Sequence, residues 1–161
     1  MDSLKLIKFT NEHTILIKKW ESTNELCKYL SHTQPKYLRE SNLEEEKHTL
    51  FFMIEFNKEL VGATWLENIT ENDATLGIYI ALTNYRRKGV GSGVIKLLID
   101  MAFKDINLKK LYLHVREKNV NAIKCYEKCG FIISKEYPKS HFPDSSYQGM
   151  YQMTLTNQKL N

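Results

Sequence analysis

The 161-residue chain reads as a mixed α+β fold, a central and mostly antiparallel twisted sheet of six to seven strands flanked by about four helices. Three features predict it. Short alternating apolar runs recur from Leu4 to Thr156, the period-2 signature of half-buried strands. Two longer runs, Val94 to Phe103 and Asn119 to Cys129, carry the helical period, and each follows a strand-like run. Asn57-Lys58-Glu59 separates two further runs as a hairpin turn would. No repeat, low-complexity tract or linker divides the chain, so residues 1–161 are expected to form one domain with enough sequence to bury a core.

In order, Leu4 to Phe9 is a short first strand. Asn11 to Ser31 sets Ile15, Leu16, Trp20, Leu26, Cys27 and Leu30 at helical spacing, one broken helix or two successive ones with Ser22 or Asn24 as a second N-cap. Gln34 to Glu40 reads as a loop around Pro35, and Leu43 to His48 as a helical turn. Leu50 to Phe56 and Leu60 to Glu67 are the hairpin strands, followed by a strand from Asp73 to Leu82. The next helix offers solvent only a thin stripe of Lys96, Asp100 and Lys104, so it packs on a sheet. Lys110 to Arg116 is another strand. In the last helix Asn119 suits the N-cap, Ala122, Cys125, Tyr126 and Cys129 form the inner face, and Gly130 suits the residue after the end. Phe131 to Tyr137 and Tyr147 to Thr156 close the chain as a strand pair across a loop containing Pro138 and Pro143.

Composition narrows the classes of function. No apolar run approaches the ~20 residues of a spanning helix, and Asp2, Lys5 and Lys8 interrupt the N-terminus, so neither secretion nor membrane insertion is expected. Cys27, Cys125 and Cys129 are an odd number without a Cys/His cluster, which predicts buried thiols in a reducing cytoplasm, no disulfide and no metal. The net charge of +4 is too small to argue for nucleic acid, and neither a recognition helix nor stacking aromatics accompany it. Its distribution is uneven: residues 84–135 hold twelve Lys/Arg against four Asp/Glu, and the remainder nets −4. A basic half suits an anionic cofactor, while an acidic half would suit a cationic acceptor such as an amine. Glu44-Glu45-Glu46 reads as a solvated helix face.

The basic half contains Arg86-Arg87-Lys88-Gly89-Val90-Gly91-Ser92-Gly93 between a strand and a helix. Its glycines remove side chains that would hold a ligand off the backbone, and the first amides of a helix lack internal acceptors and sit at the positive end of its dipole. That combination binds pyrophosphate-like anions. The dinucleotide spacing G-x-G-x-x-G fails because Val94 stands where the third glycine belongs, and the mononucleotide loop lacks its Gly-Lys-Ser/Thr.

Arg86-x-x-Gly89-x-Gly91 instead resembles the acetyl-coenzyme A loop of the GNAT family of N-acetyltransferases, and Asn119-x-x-Ala122-x-x-x-Tyr126-x-x-x-Gly130-Phe131 is similar to that family's second signature. With the strand before each, the two motifs cover residues 73–135. The resemblance implies a sheet splayed at a cofactor cleft and transfer of an acetyl group from acetyl-CoA to a primary amine, either a small molecule such as a polyamine, aminoglycoside or amino-sugar, or a protein N-terminus. It implies main-chain contacts to the pantetheine arm from Ile80, Ala81 and Leu82, a pyrophosphate cradle from Arg87, Lys88, Gly89, Val90, Gly91 and Ser92, an amide contact from Asn119, and Tyr126 near the sulfur.

A tyrosine phenol, with an ordinary pKa of about 10, is protonated at neutral pH and can return a proton to a departing thiolate, so Tyr126 is the expected general acid. The base is more open. His114 stands where relatives acting on ribosomal protein N-termini carry a glutamate, Glu67 ends a strand leading toward the site, and Asp73 is a third candidate; an ordered water could also serve. Trp20 with Tyr29-Leu30 resembles the first-helix region of members acting on polyamines, N-termini or amino-sugars, although Trp20 also suits the core. The loop Lys139 to Gln148, with His141 and Asp144, is expected to border the acceptor. A non-catalytic acyl-CoA-binding or interaction module is the alternative. No sequence feature fixes a homodimer, for which the last strands offer a surface.

Overall fold

The computed structural model describes residues 1–23, 34–138 and 149–158. Seven strands, β1 (Leu4–Lys8), β2 (Leu50–Phe56), β3 (Glu59–Glu67), β4 (Asp73–Ile80), β5 (Lys110–Arg116), β6 (Ile132–Pro138) and β7 (Gly149–Thr156), form one sheet in the order β1-β2-β3-β4-β5-β7-β6. Among these strands β4 and β5 run parallel and the other neighbours antiparallel. The described helices are α1 (Thr14–Glu21), the one-turn α2 (Lys36–Arg39), α3 (Val90–Asp100) and α4 (Val120–Lys128). Cys27, Tyr29, Leu30 and the proposed cap Asn24 lie outside the described residues, as do His141, Asp144 and the rest of the Lys139 to Gln148 loop.

Alternation along each strand sorts side chains onto two faces. One face carries Ile54, Leu66, Leu76, Leu111, Leu113 and Met153 against Val94, Ile95 and Leu98 of α3 and Ile123 of α4. The opposite face carries Phe51, Met53, Ala63, Trp65 and Tyr79 against Ile17 and Trp20 of α1. Trp20 is thus core, as expected. Phe51 meets Trp65 edge-on at 5.8 Å, and Tyr79 meets Trp20 at 6.1 Å.

The β2–β3 hairpin turns at Asn57 and Lys58, whose φ values of 49° and 69° give the left-handed pair that a two-residue turn requires. Two expectations need correction. The Gln34 to Glu40 loop contains α2, because Glu67, remote in sequence, takes the Lys36 amide at 2.7 Å and so caps its first turn. The helix after the glycine turn starts at Val90 rather than Val94, so Gly91 and Ser92 lie within its first turn, and it ends in a widened π turn over Met101–Asp105. Ser22 closes α1, its amide bonding Lys18 O at 3.2 Å, and the expected second helix lies outside the described residues.

Candidate active site

Strands β4 and β5 pair only from Asp73↔Lys110 to Leu76↔Leu113. Past that point β4 follows β3 as far as Gly62↔Ile80, and β5 follows β7 as far as Arg116↔Met150. The facing edges from Gly77 to Ile80 and from His114 to Arg116 therefore part into a cleft. A bulge holds β4 to its side: Val61 O accepts from Ala81 N at 2.7 Å and from Leu82 N at 3.3 Å. Gly62 allows this approach, since a Cβ there would strike the Tyr79 carbonyl.

Antiparallel alternation then decides which backbone groups face the cleft. Gly77 points its carbonyl toward β3, where Thr64 Oγ1 bonds it at 2.8 Å, so Ile78 and Ile80 direct their peptide groups the other way. Ile80 O receives Arg86 Nε at 3.0 Å. The amides of Ala81 and Leu82 are committed to Val61, so the cleft-facing backbone is that of Ile80 together with Ile78, a residue that sequence reasoning did not single out.

At the mouth of the cleft Arg87 (φ 63°) and Gly89 (φ 82°) take left-handed conformations and turn the chain into α3. Gly93 N to Gly89 O, at 3.0 Å, is the helical bond that follows this turn, and the Gly91 and Ser92 amides lie ahead of it at the helix start, where no internal acceptor exists. A Cβ built on Gly89 or Gly91 would meet nothing within 4 Å, so both glycines border open space. Exposed Arg87 and Lys88 stand beside them.

Tyr126 lies on the α3/α4 side of the sheet, packed against the core there, with its ring 6.2 Å from Phe131. Desolvation raises the pKa of its phenol well above the ordinary value, and Cys125 and Cys129 raise it further, so the group is a protonated donor at neutral pH. Asn119 caps α4, its Oδ1 accepting from Ala122 N at 3.4 Å, and its own amide bonds Arg116 O at the end of β5 at 2.9 Å.

His114 projects from the opposite face of β5, because its neighbours Leu113 and Val115 take the core side. Part of the ring reaches solvent, yet desolvation lowers its pKa below the ordinary histidine value; a hydrogen bond with Gln152 and the charge of Glu67 work the other way. The imidazole is consequently neutral at pH 7. Tyr137 lies 6.3 Å from it, ring to ring. Glu67 shares this face but is engaged: besides the Lys36 amide it holds Arg39 Nη2 at 3.8 Å. Asp73 opens β4 at the end away from the cleft, where its Oδ1 accepts from Thr70 Oγ1 at 3.0 Å. The 87–92 turn follows the end of β4, Asn119 follows the end of β5, and His114 lies on the β5 edge that has parted from β4, whereas Asp73 lies at the opposite end of β4.

Residues 16–131 match the family model described as "Acetyltransferase (GNAT) family". The chain belongs to that acetyltransferase family. Among its relatives, the spermidine N(1)-acetyltransferase of Vibrio cholerae is 28% identical over 133 residues, covering 81% of this chain and 76% of that enzyme. That of Escherichia coli K12 is 30% identical over 105 residues, covering 65% and 56%. The crystal structure of spermidine N-acetyltransferase from Vibrio cholerae in complex with CoA and spermine superposes with a TM-score of 0.81 at 25% identity, covering 98% of each chain.

This acetyltransferase uses acetyl-CoA as its acetyl donor, and the residues fit that molecule. Gly89 and Gly91 leave room for phosphate at unpaired helix amides, and the parted strand edges offer the hydrogen bonds an extended amide arm needs. No group of His, Cys, Asp and Glu that could hold a metal occurs among the described residues. Cys125 and Cys129 are free thiols. No described helix is long and apolar enough to cross a membrane.

Sequence reasoning passed over Trp65 and Gly77. The Trp65 indole lies flat on Gly77 at the start of the cleft, where any Cβ would overlap it. The available signal was a glycine inside a strand pattern, which marks close approach of another group.

Proposed function

We propose that this acetyltransferase acetylates a primary amine of a linear polyamine. One observation supports the chemistry: Tyr126 packs on the α3/α4 side of the sheet as a protonated phenol, and His114 projects from the opposite face of β5 where it parts from β4, its burial favouring the neutral imidazole. The bond to be made and the bond to be broken meet at the carbon between them. His114, directly or through water, takes one proton from the ammonium and passes it to solvent; the freed lone pair forms the C–N bond; the C–S bond breaks as Tyr126 gives its proton to sulfur; and the second proton lost from nitrogen restores the Tyr126 phenol, by way of solvent. Ile78 and Ile80 align the pantetheine arm, residues 87–92 hold the pyrophosphate, and Asn119 bonds an amide of the arm. Glu67 acts as a positioning residue, fixing α2 beside the acceptor face and biasing His114, rather than as the base.

The polyamine is supported by the two spermidine acetyltransferase relatives and by the carboxylates of Glu21 and Glu67, whose charges act on Tyr79 and His114 on the face away from α3 and α4. A homodimer would use the edge strand β6, where Ile132 is 67% and Ile133 43% exposed. Thiol release from acetyl-CoA across spermidine, spermine, amino-sugars, aminoglycosides and N-terminal peptides tests the reading. Turnover confined to polyamines is expected. Turnover confined to another class contradicts the acceptor, and tight acetyl-CoA binding with no turnover on any amine would return the chain to a binding module.

A further inference from the structure

The Tyr79 side chain is 4% exposed, and its hydroxyl, fully buried, has no hydrogen-bond partner among the described residues. Buried polar groups are paired in the great majority of cases, so an orphan calls for a physical cause. Its position supplies one. Tyr79 falls between Ile78 and Ile80, the residues that edge the cleft, and projects onto the acceptor face. Trp20 and Trp65 meet its ring edge-on or nearly so, at 6.1 and 6.3 Å. Trp20 is followed by Glu21, the last residue of α1, whose charge acts on the phenol and adds to the desolvation that raises its pKa.

We infer that the Tyr79 hydroxyl is a specificity-determining group, receiving with Glu21 the second nitrogen of the acceptor while the first reacts at the cleft. The inference rests on the polyamine reading and deepens it. A secondary ammonium carries two N–H donors, one for the phenol oxygen and one for a carboxylate, and aromatic walls favour its charge. A neutral alkyl chain gains none of this and leaves the hydroxyl unpaired. The tyrosine ring sets the separation between the two nitrogens. Reception requires the Trp20 ring, edge-on to Tyr79 at 6.1 Å, to move.

Tyr79→Phe removes one oxygen and keeps the ring. The readout is the ratio of kcat/KM for spermidine to that for a monoamine of equal length. The wild-type ratio should fall about tenfold or more in the variant, the size expected for a lost hydrogen bond to a charged group, chiefly through a higher polyamine KM. The melting temperature should stay at or above wild type, since an unsatisfied buried hydroxyl is lost. An unchanged ratio, or equal loss on both amines, overturns the inference while leaving the polyamine reading intact. A wild-type enzyme with no preference for polyamines overturns both.

Discussion

Gly91 shows how one missing side chain separates stability from function. It lies in the first turn of α3, and a Cβ there meets nothing within 4 Å. Alanine should therefore be accepted by the fold and even raise helix stability by about 0.5–1 kcal/mol, while its methyl group occupies the space proposed for pyrophosphate. Gly91→Ala should melt at or above wild type in calorimetry and bind acetyl-CoA at least tenfold more weakly. Gly89, at φ 82°, should lose both properties on the same change. Glu67 tests the opposite face. Its charge raises the His114 pKa against the dominant desolvation, so Glu67→Gln removes a factor favouring the imidazolium. The acid limb of kcat/KM, already below pH about 6.5 for a histidine so desolvated, should move to still lower pH in that variant and disappear in His114→Gln. A pH–rate profile decides.

Among elements, the cleft depends on how β4 leaves β5. Val61 O gathers both Ala81 N and Leu82 N, and Gly62 permits the approach. Gly62→Ala must push the Tyr79 carbonyl away and should destabilise by about 2 kcal/mol or more, read as a lowered denaturant midpoint, with weaker acetyl-CoA binding as β4 shifts. Helix α4 offers a contrasting case: Asn119→Ala loses the bond to Ala122 N and should cost about 1 kcal/mol. Each strand run and both long helices were readable because burial on one face imposes a period on the residues themselves. Helix α2 was not, since its cap comes from Glu67, and a carboxylate brought in by tertiary contact leaves no local mark. The bulge at the end of β4 was hidden for the same reason: it commits the Ala81 and Leu82 amides to Val61 on a different strand, while Ile80, one of the three expected residues, stays on the parted edge together with Ile78.

For the whole molecule, the two faces of the sheet divide the labour. The side carrying α3 and α4 holds the cofactor signatures, which are contiguous in sequence because backbone conformations and helix ends are local. The other side, under α1 and α2, is assembled from separated segments, so Trp65, Gly77 and Tyr79 had no motif to announce them. Of the basic excess in residues 84–135, Arg86, Arg87 and Lys88 stand at the phosphate turn, whereas Lys104, Lys109 and Lys110 lie at the far ends of α3 and β5. Acetyl-CoA affinity should consequently weaken with rising ionic strength, which titrations at two salt concentrations would show.

The central claim is that Tyr126 donates the proton to the departing sulfur across the cleft from His114. Turnover of Tyr126→Phe, measured with acetyl-CoA affinity by calorimetry on the same preparation, tests it most directly. The account predicts that kcat falls about 100-fold, within the range for a lost general acid, while the acetyl-CoA Kd stays within about twofold. Turnover at the wild-type rate with the affinity unchanged would contradict it.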